Sequence, residues 1–133
     1  MIANNLVEEN VPDADGKDST RIVLKFHPAL APVKCAILPL LKNNDDLTAM
    51  ARKVFDDLKF NFLCQYDEKD AIGRRYRRQD AIGTPYCVTI DHQSLEDQTV
   101  TIRERDTLKQ DRIHISRIKE IVEEGISFRN LFV

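Results

Sequence analysis

The sequence predicts an α/β fold in three layers, a mixed five-stranded sheet between helices, and three observations carry that prediction. Residues 34–40 (KCAILPL) are a continuous apolar run of strand length, the composition of a strand covered on both faces. Leu47, Met50, Ala51, Val54, Phe55 and Leu58 then recur at helical spacing, and residues 61–66 (NFLCQY) return to strand composition. Strand, helix and strand in succession point to a right-handed parallel crossover. Farther on, TVTIR and RIHI alternate apolar with polar residues, so one strand near an edge is expected to run antiparallel.

Taken in order, residues 1–6 read as the end of a helix, and residues 8–19 as an acidic linker. That stretch holds Glu8, Glu9, Asp13, Asp15 and Asp18, with Pro12 and Gly16 as breakers. The expected division is therefore residues 1–20, linker and preceding helix, and residues 21–133, one domain. RIVLKF at residues 21–26 is a short extended run, and Pro28 and Pro32 keep the backbone extended after it. Asp45 or Asp46 offers a carboxylate to cap the first long helix. A second, shorter helix covers the arginine-rich segment and ends at Gly83-Thr84-Pro85. YCVTI (residues 86–90) is the third strand, residues 91–97 a polar turn, and TVTIR and RIHI the fourth and fifth strands. Ser116 is placed to cap a last helix carrying Ile118, Ile121 and Val122, with Gly125 to end it. Phe128, Leu131 and Phe132 form an apolar tail expected to dock on an apolar surface.

A chain of 133 residues suits one domain with a hydrophobic core of its own. The net charge of −2 means that a nucleic-acid surface would have to be a local patch. No apolar run reaches membrane-span length, and no secretory leader opens the chain. Cys35, Cys64 and Cys87 are odd in number, widely spaced and inside predicted strands, which suits buried free thiols in a reducing cytoplasm. His27, His92 and His114 are scattered, so no metal site is expected. No phosphate loop, nucleophile elbow or paired nucleophile and base is legible, and no catalytic residue is expected.

Residues 66–86 (YDEKDAIGRRYRRQDAIGTPY) are the chemically distinctive stretch. On a helix, Arg74, Arg77 and Arg78 share one face, while Ile72 and Tyr76 share another that packs on the domain. Guanidinium groups bind phosphates and base edges, but the same run also suits a solvated helix paired with Asp67, Glu68, Asp70 and Asp80.

The run IGRRYRRQDAIGTPYCVTID, followed by TVTIRERDT and preceded by LAPVKCAILPL, resembles the C-terminal anticodon-binding domain of glycyl-tRNA synthetase. The likeness is to the dimeric, eukaryotic- and archaeal-like class II type, and runs from about Arg21 onward. The resemblance implies a sheet of order 2-1-3-4-5 with strand 4 antiparallel. It also implies a function: reading the anticodon loop of glycine tRNA for a cytoplasmic, homodimeric ligase with no membrane attachment. In that enzyme a catalytic domain outside this chain would use ATP and Mg²⁺, so the chain by itself would be non-catalytic and hold no cofactor. The position of residues 1–20 would then be the join to that catalytic domain.

Carried over by motif, the resemblance nominates Asp67, Lys69, Arg77, Glu96, Arg103 and Arg105 for the anticodon pocket, with Arg74, Arg75 and Arg78 as backbone contacts. Glu96 suits the amino group of cytosine, and equally a turn carboxylate in water. Arg103 suits RNA, or Asp91 or Glu104 as an ion-pair partner; Arg105 suits RNA or plain solvent; Tyr66 and Tyr76 suit stacking or packing. A second reading is a non-catalytic relative of polymerase-accessory type. A flavodoxin-like signalling or cofactor domain is the third, and LAPVKCAILPLLKNN offers neither its acidic phosphoacceptor nor its flavin loop.

Overall fold

The computed structural model describes residues 6–12, 18–24 and 27–127. An antiparallel hairpin, β1 (Leu6–Pro12) and β2 (Asp18–Leu24), opens the chain. Then follow β3 (Cys35–Pro39), α1 (Asp45–Leu58), β4 (Cys64–Tyr66), α2 (Ile72–Ile82) and β5 (Tyr86–Ile90). The chain continues through α3 (His92–Asp97), β6 (Thr99–Glu104), β7 (Gln110–His114) and α4 (Ile118–Gly125). The sheet order is β4-β3-β5-β6-β7, with β3, β4 and β5 parallel and β6 antiparallel to both neighbours. Counted within this sheet, that is the expected order 2-1-3-4-5 with strand 4 antiparallel.

Strand alternation sorts β3 between two layers. Cys35 and Ile37 join Leu47, Ala51, Val54 and Leu58 of α1, and Ile118 and Val122 of α4, in the larger core. Ala36 and Leu38 face the other way, where with Cys87 they meet Ile72 and Tyr76 of α2. The α1 layer is thus aliphatic, and the α2 layer is small and largely polar.

Several local expectations change. Within the acidic segment, residues 8–12 belong to β1 and residues 18–19 to β2, while residues 13–17 lie outside the described residues. Val7 pairs with Val23, and fully buried Val23 belongs to the strand that packs on α2. Acidic composition hides such pairing, which is non-local. Leu6 opens β1; the helix end expected before it, and the tail of Phe128, Leu131 and Phe132, lie outside the described residues. The N-cap of α1 is Asn44, not Asp45 or Asp46; its Oδ1 accepts from the amides of Asp46 and Leu47 at 3.1 and 3.2 Å. The polar turn is helix α3, closed by a capping box in which Asp91 and Ser94 exchange side-chain and backbone hydrogen bonds. Ser116 sits in a 3-10 turn capped by His114, so α4 begins two residues later. At the end of α4, a side chain on Gly125 would lie 1.7 Å from the Tyr86 hydroxyl, so close approach explains this glycine.

All three cysteines are free and buried. Burial pushes the Cys87 thiol up to about 12, and the Cys35 thiol is also raised, by its hydrogen bond with Cys64 on the neighbouring strand and by burial. The same hydrogen bond lowers the Cys64 thiol, so Cys64 is protected by burial alone. Thiolate is the reactive form, so a disulfide reagent should modify Cys35 and Cys87 of the native chain about a hundredfold or more slower than in the denatured chain. Rapid titration of all three thiols in the native protein would contradict the packing of β3, β4 and β5.

Candidate nucleic-acid interface

Helix α2 begins after Asp70, at positive φ of 68°, and ends where Gly83 takes up the left-handed conformation at φ 84°. Its sequence promises an apolar underside of Ile72 and Tyr76. Both do face the sheet, and the Tyr76 hydroxyl lies 2.6 Å from Thr89 Oγ1. The rest of the underside is charged or amide: Arg75, Gln79 and Asp80 are all buried. Gln79 Nε2 donates to Gln65 Oε1 at 2.8 Å, and its Oε1 accepts from the Thr84 hydroxyl at 2.7 Å. Polar pairs replace much of the apolar contact in this layer, and Arg75 Nε is the buried side-chain atom left without a hydrogen-bond partner among the described residues.

This interior takes up three of the nominated arginines. Arg75, 1 % exposed, donates through Nη1 to the carbonyls of Pro39 and Asp67, and through Nη2 to Leu40 O at 2.9 Å. It ties α2 to the end of β3 and to the loop after β4, and burial lowers the pKa of its guanidinium. Arg103 makes a two-pronged pair with Asp80 at 2.9 and 3.0 Å, with its guanidinium 4.7 Å from the Tyr76 ring centre. Burial opposes that charge, but the hydrogen bond and attraction from Asp80 outweigh it and raise the pKa. The partner is therefore neither Asp91 nor Glu104. Arg105 is buried, donates to Gly83 O at 2.9 Å and pairs with Asp106, locking the α2 terminus rather than facing solvent.

The other nominated residues reach the surface. Arg74 is exposed, and Arg77 and Arg78 are half-buried on the outer turns of α2. Arg78 bridges Asp67 and Asp70, the second at 2.6 Å, while Asp67 Oδ1 accepts the amide of exposed Lys69 at 3.0 Å. Asp67, Lys69, Arg74, Arg77 and Arg78 thus share the β4–α2 loop and the helix it leads into, at the carboxyl ends of the parallel strands. Glu96 stands apart, exposed on α3.

Two features escape sequence reasoning. Arg112 on β7 pairs with Asp91 and donates to Thr99 Oγ1 at 2.9 Å. Burial would raise the Asp91 carboxyl, but hydrogen bonds from Arg112 and Ser94 hold it below its ordinary value. Beside the β4–α2 loop, the Arg52 guanidinium covers the Tyr66 ring at 4.1 Å from its centre, and the Tyr66 hydroxyl donates to Glu68 Oε2 at 2.7 Å. Arg52 lies on the polar face of α1, so only the fold brings it to Tyr66.

Comparison with known proteins adds the family. Residues 34–125 match the family model described as "Anticodon binding domain". The glycine–tRNA ligase of Staphylococcus saprophyticus is 51% identical over 114 residues, covering 86% of this chain and 24% of the relative. That of Macrococcus caseolyticus is 53% identical over 114 residues, with the same coverage of each. That of Thermobifida fusca is 48% identical over 120 residues, 90% of this chain and 26% of the relative. The chain spans about a quarter of the length of these curated relatives. With the mixed five-stranded sheet, its flanking helices and this match over most of the chain, the protein belongs to the anticodon-binding domain family.

Proposed function

We propose that this chain is the part of a glycine–tRNA ligase that recognises the anticodon loop of glycine tRNA. About half identity to ligases of that name, over nearly the whole chain, is the observation that carries the reading. The surface agrees with it. Lys69, Arg74, Arg77 and Arg78, on the β4–α2 loop and the outer turns of α2, suit phosphates, and exposed Glu96 suits a base edge. Asp67, its carboxylate held by Arg78 and the Lys69 amide, positions the loop. Arg75, Arg103 and Arg105 act from beneath, holding α2 and the loop in place. The parent enzyme in this reading is a class II ligase, cytoplasmic and homodimeric. Its catalytic domain joins this one on the side of residues 1–20, and the β1–β2 hairpin, whose second strand packs on α2, goes with the recognition domain. Among the described residues, no group of three His, Cys, Asp or Glu side chains converges as a metal site, and no helix is long and apolar enough to cross a membrane. We assign ATP, Mg²⁺ and the ligation of glycine to the part of the enzyme outside this chain.

The test is a binding titration of the glycine anticodon stem-loop against a hairpin of equal length and unrelated loop. Phosphate contacts release counterions, so with about three of them affinity should fall roughly tenfold to a hundredfold between 50 and 200 mM salt. The cognate loop should bind more tightly at every salt concentration. Equal binding of both hairpins, or binding indifferent to salt, would refute the reading.

A further inference from the structure

The β4–α2 loop is more rigid than a loop carrying only surface charge requires. Asp67 is anchored four ways: its amide donates to Ile37 O at 3.1 Å, its carbonyl accepts from Arg75 at 3.2 Å, and its carboxylate accepts from Arg78 and from the Lys69 amide. Glu68 is therefore held between two tethered neighbours. Its own carboxylate is oriented by the Tyr66 hydroxyl, which occupies Oε2. Tyr66 is fixed in turn, with Phe55 edge-on at 6.3 Å and 71° and Arg52 over its ring. The result is a half-buried carboxylate in a set orientation, joined through Tyr66 to a guanidinium plane on an exposed residue of α1.

We propose that Arg52, Tyr66 and Glu68 form a base-reading element that takes an unpaired cytosine. The assignment rests on the anticodon reading and deepens it by naming the chemistry that distinguishes one base from another. Stacking on arginine planes holds single-stranded bases without regard to sequence, and the outer face of Arg52 suits that role. Discrimination then falls to Glu68. A carboxylate only accepts hydrogen bonds, so it selects the exocyclic amino group of cytosine and repels the carbonyl that uracil carries at the same position. Glycine codons begin with two guanines, so every glycine anticodon holds two cytosines. Tyr66 acts as a positioning residue, since rigidity is what stops a side chain from satisfying the wrong base.

The experiment measures binding of the whole chain to the cognate stem-loop and to loops with each anticodon cytosine changed to uracil, at one low salt concentration. Glu68→Gln should reduce the preference for cytosine at one position about tenfold, because an amide can turn its donor toward uracil. Tyr66→Phe should erode the same preference while cognate affinity changes little, as expected of a tether and not of a contact. Arg52→Ala should weaken all loops alike, and Arg52→Lys should fail to rescue them because an ammonium has no plane. Melting curves check that each variant is folded. Wild-type protein that does not distinguish the cognate loop from an unrelated one overturns the anticodon reading, and this assignment with it. Wild-type discrimination that persists in folded Glu68→Gln and Tyr66→Phe overturns the assignment alone.

Discussion

Arg103→Ala should lower the free energy of unfolding by about 3–5 kcal/mol, because it takes the two-pronged partner away from a carboxylate that sits inside the protein. Asp80 is fully buried and Arg103 is 5 % exposed, so water cannot replace the missing partner. The two parallel hydrogen bonds also set the orientation of α2 on the sheet, with the Arg103 guanidinium lying over Tyr76. Asp80→Ala should cost a similar amount for the mirror reason. The double variant Asp80→Leu with Arg103→Met should lose clearly less than the sum of the single changes, since apolar replacements of similar volume leave no unpaired charge. Urea unfolding of the four proteins measures this cycle. Single variants within about 1 kcal/mol of wild type would mean that the pair behaves as a surface ion pair, contrary to its burial.

Arg75→Ala is expected to be nearly as severe, at about 3–4 kcal/mol, through a different mechanism. No carboxylate accepts from Arg75; the acceptors are the carbonyls of Pro39, Leu40 and Asp67, at the ends of β3 and β4. Removing the guanidinium leaves buried carbonyls without donors and a void beneath α2. Arg75→Lys should recover only part of the loss, because an ammonium cannot span three acceptors in the geometry of a planar fork. The same variants separate support from contact. A folded Arg75→Ala protein with wild-type stability and weakened RNA binding would return this side chain to the RNA surface, whereas loss of stability keeps it beneath.

Patterns of period 2 and 3.6 are local, so β3, α1, β5, β6 and β7 are legible in the amino-acid sequence. The apolar run of residues 34–40, the spacing from Leu47 to Leu58 and the Gly83 stop each correspond to an observed element or terminus. Strand order comes through resemblance, since periodicity does not say which strands pair. The hairpin is hidden because its stabilising partners lie on the other strand and on α2, and acidic composition outweighs a few apolar residues. Helix α3 is hidden because six mostly polar residues look like a turn until Asp91 and Ser94 close the box.

For the site, the order of residues says which positions carry charge, and that arginines cluster around Tyr76. Which of those charges face water depends on how α2 packs against β3, β5 and β6. Arg75 and Arg78 are three apart on one helix, yet one is tied to the ends of β3 and β4 while the other, half-exposed, bridges the carboxylates of Asp67 and Asp70. Arg103 and Asp80 are 23 positions apart and meet only because β6 lies beside β5, on the face that α2 covers. A guanidinium is amphipathic enough for either setting, and its cost of burial is offset only by acceptors that the fold brings from elsewhere in the chain. Those acceptors, not the arginine itself, decide between support and contact.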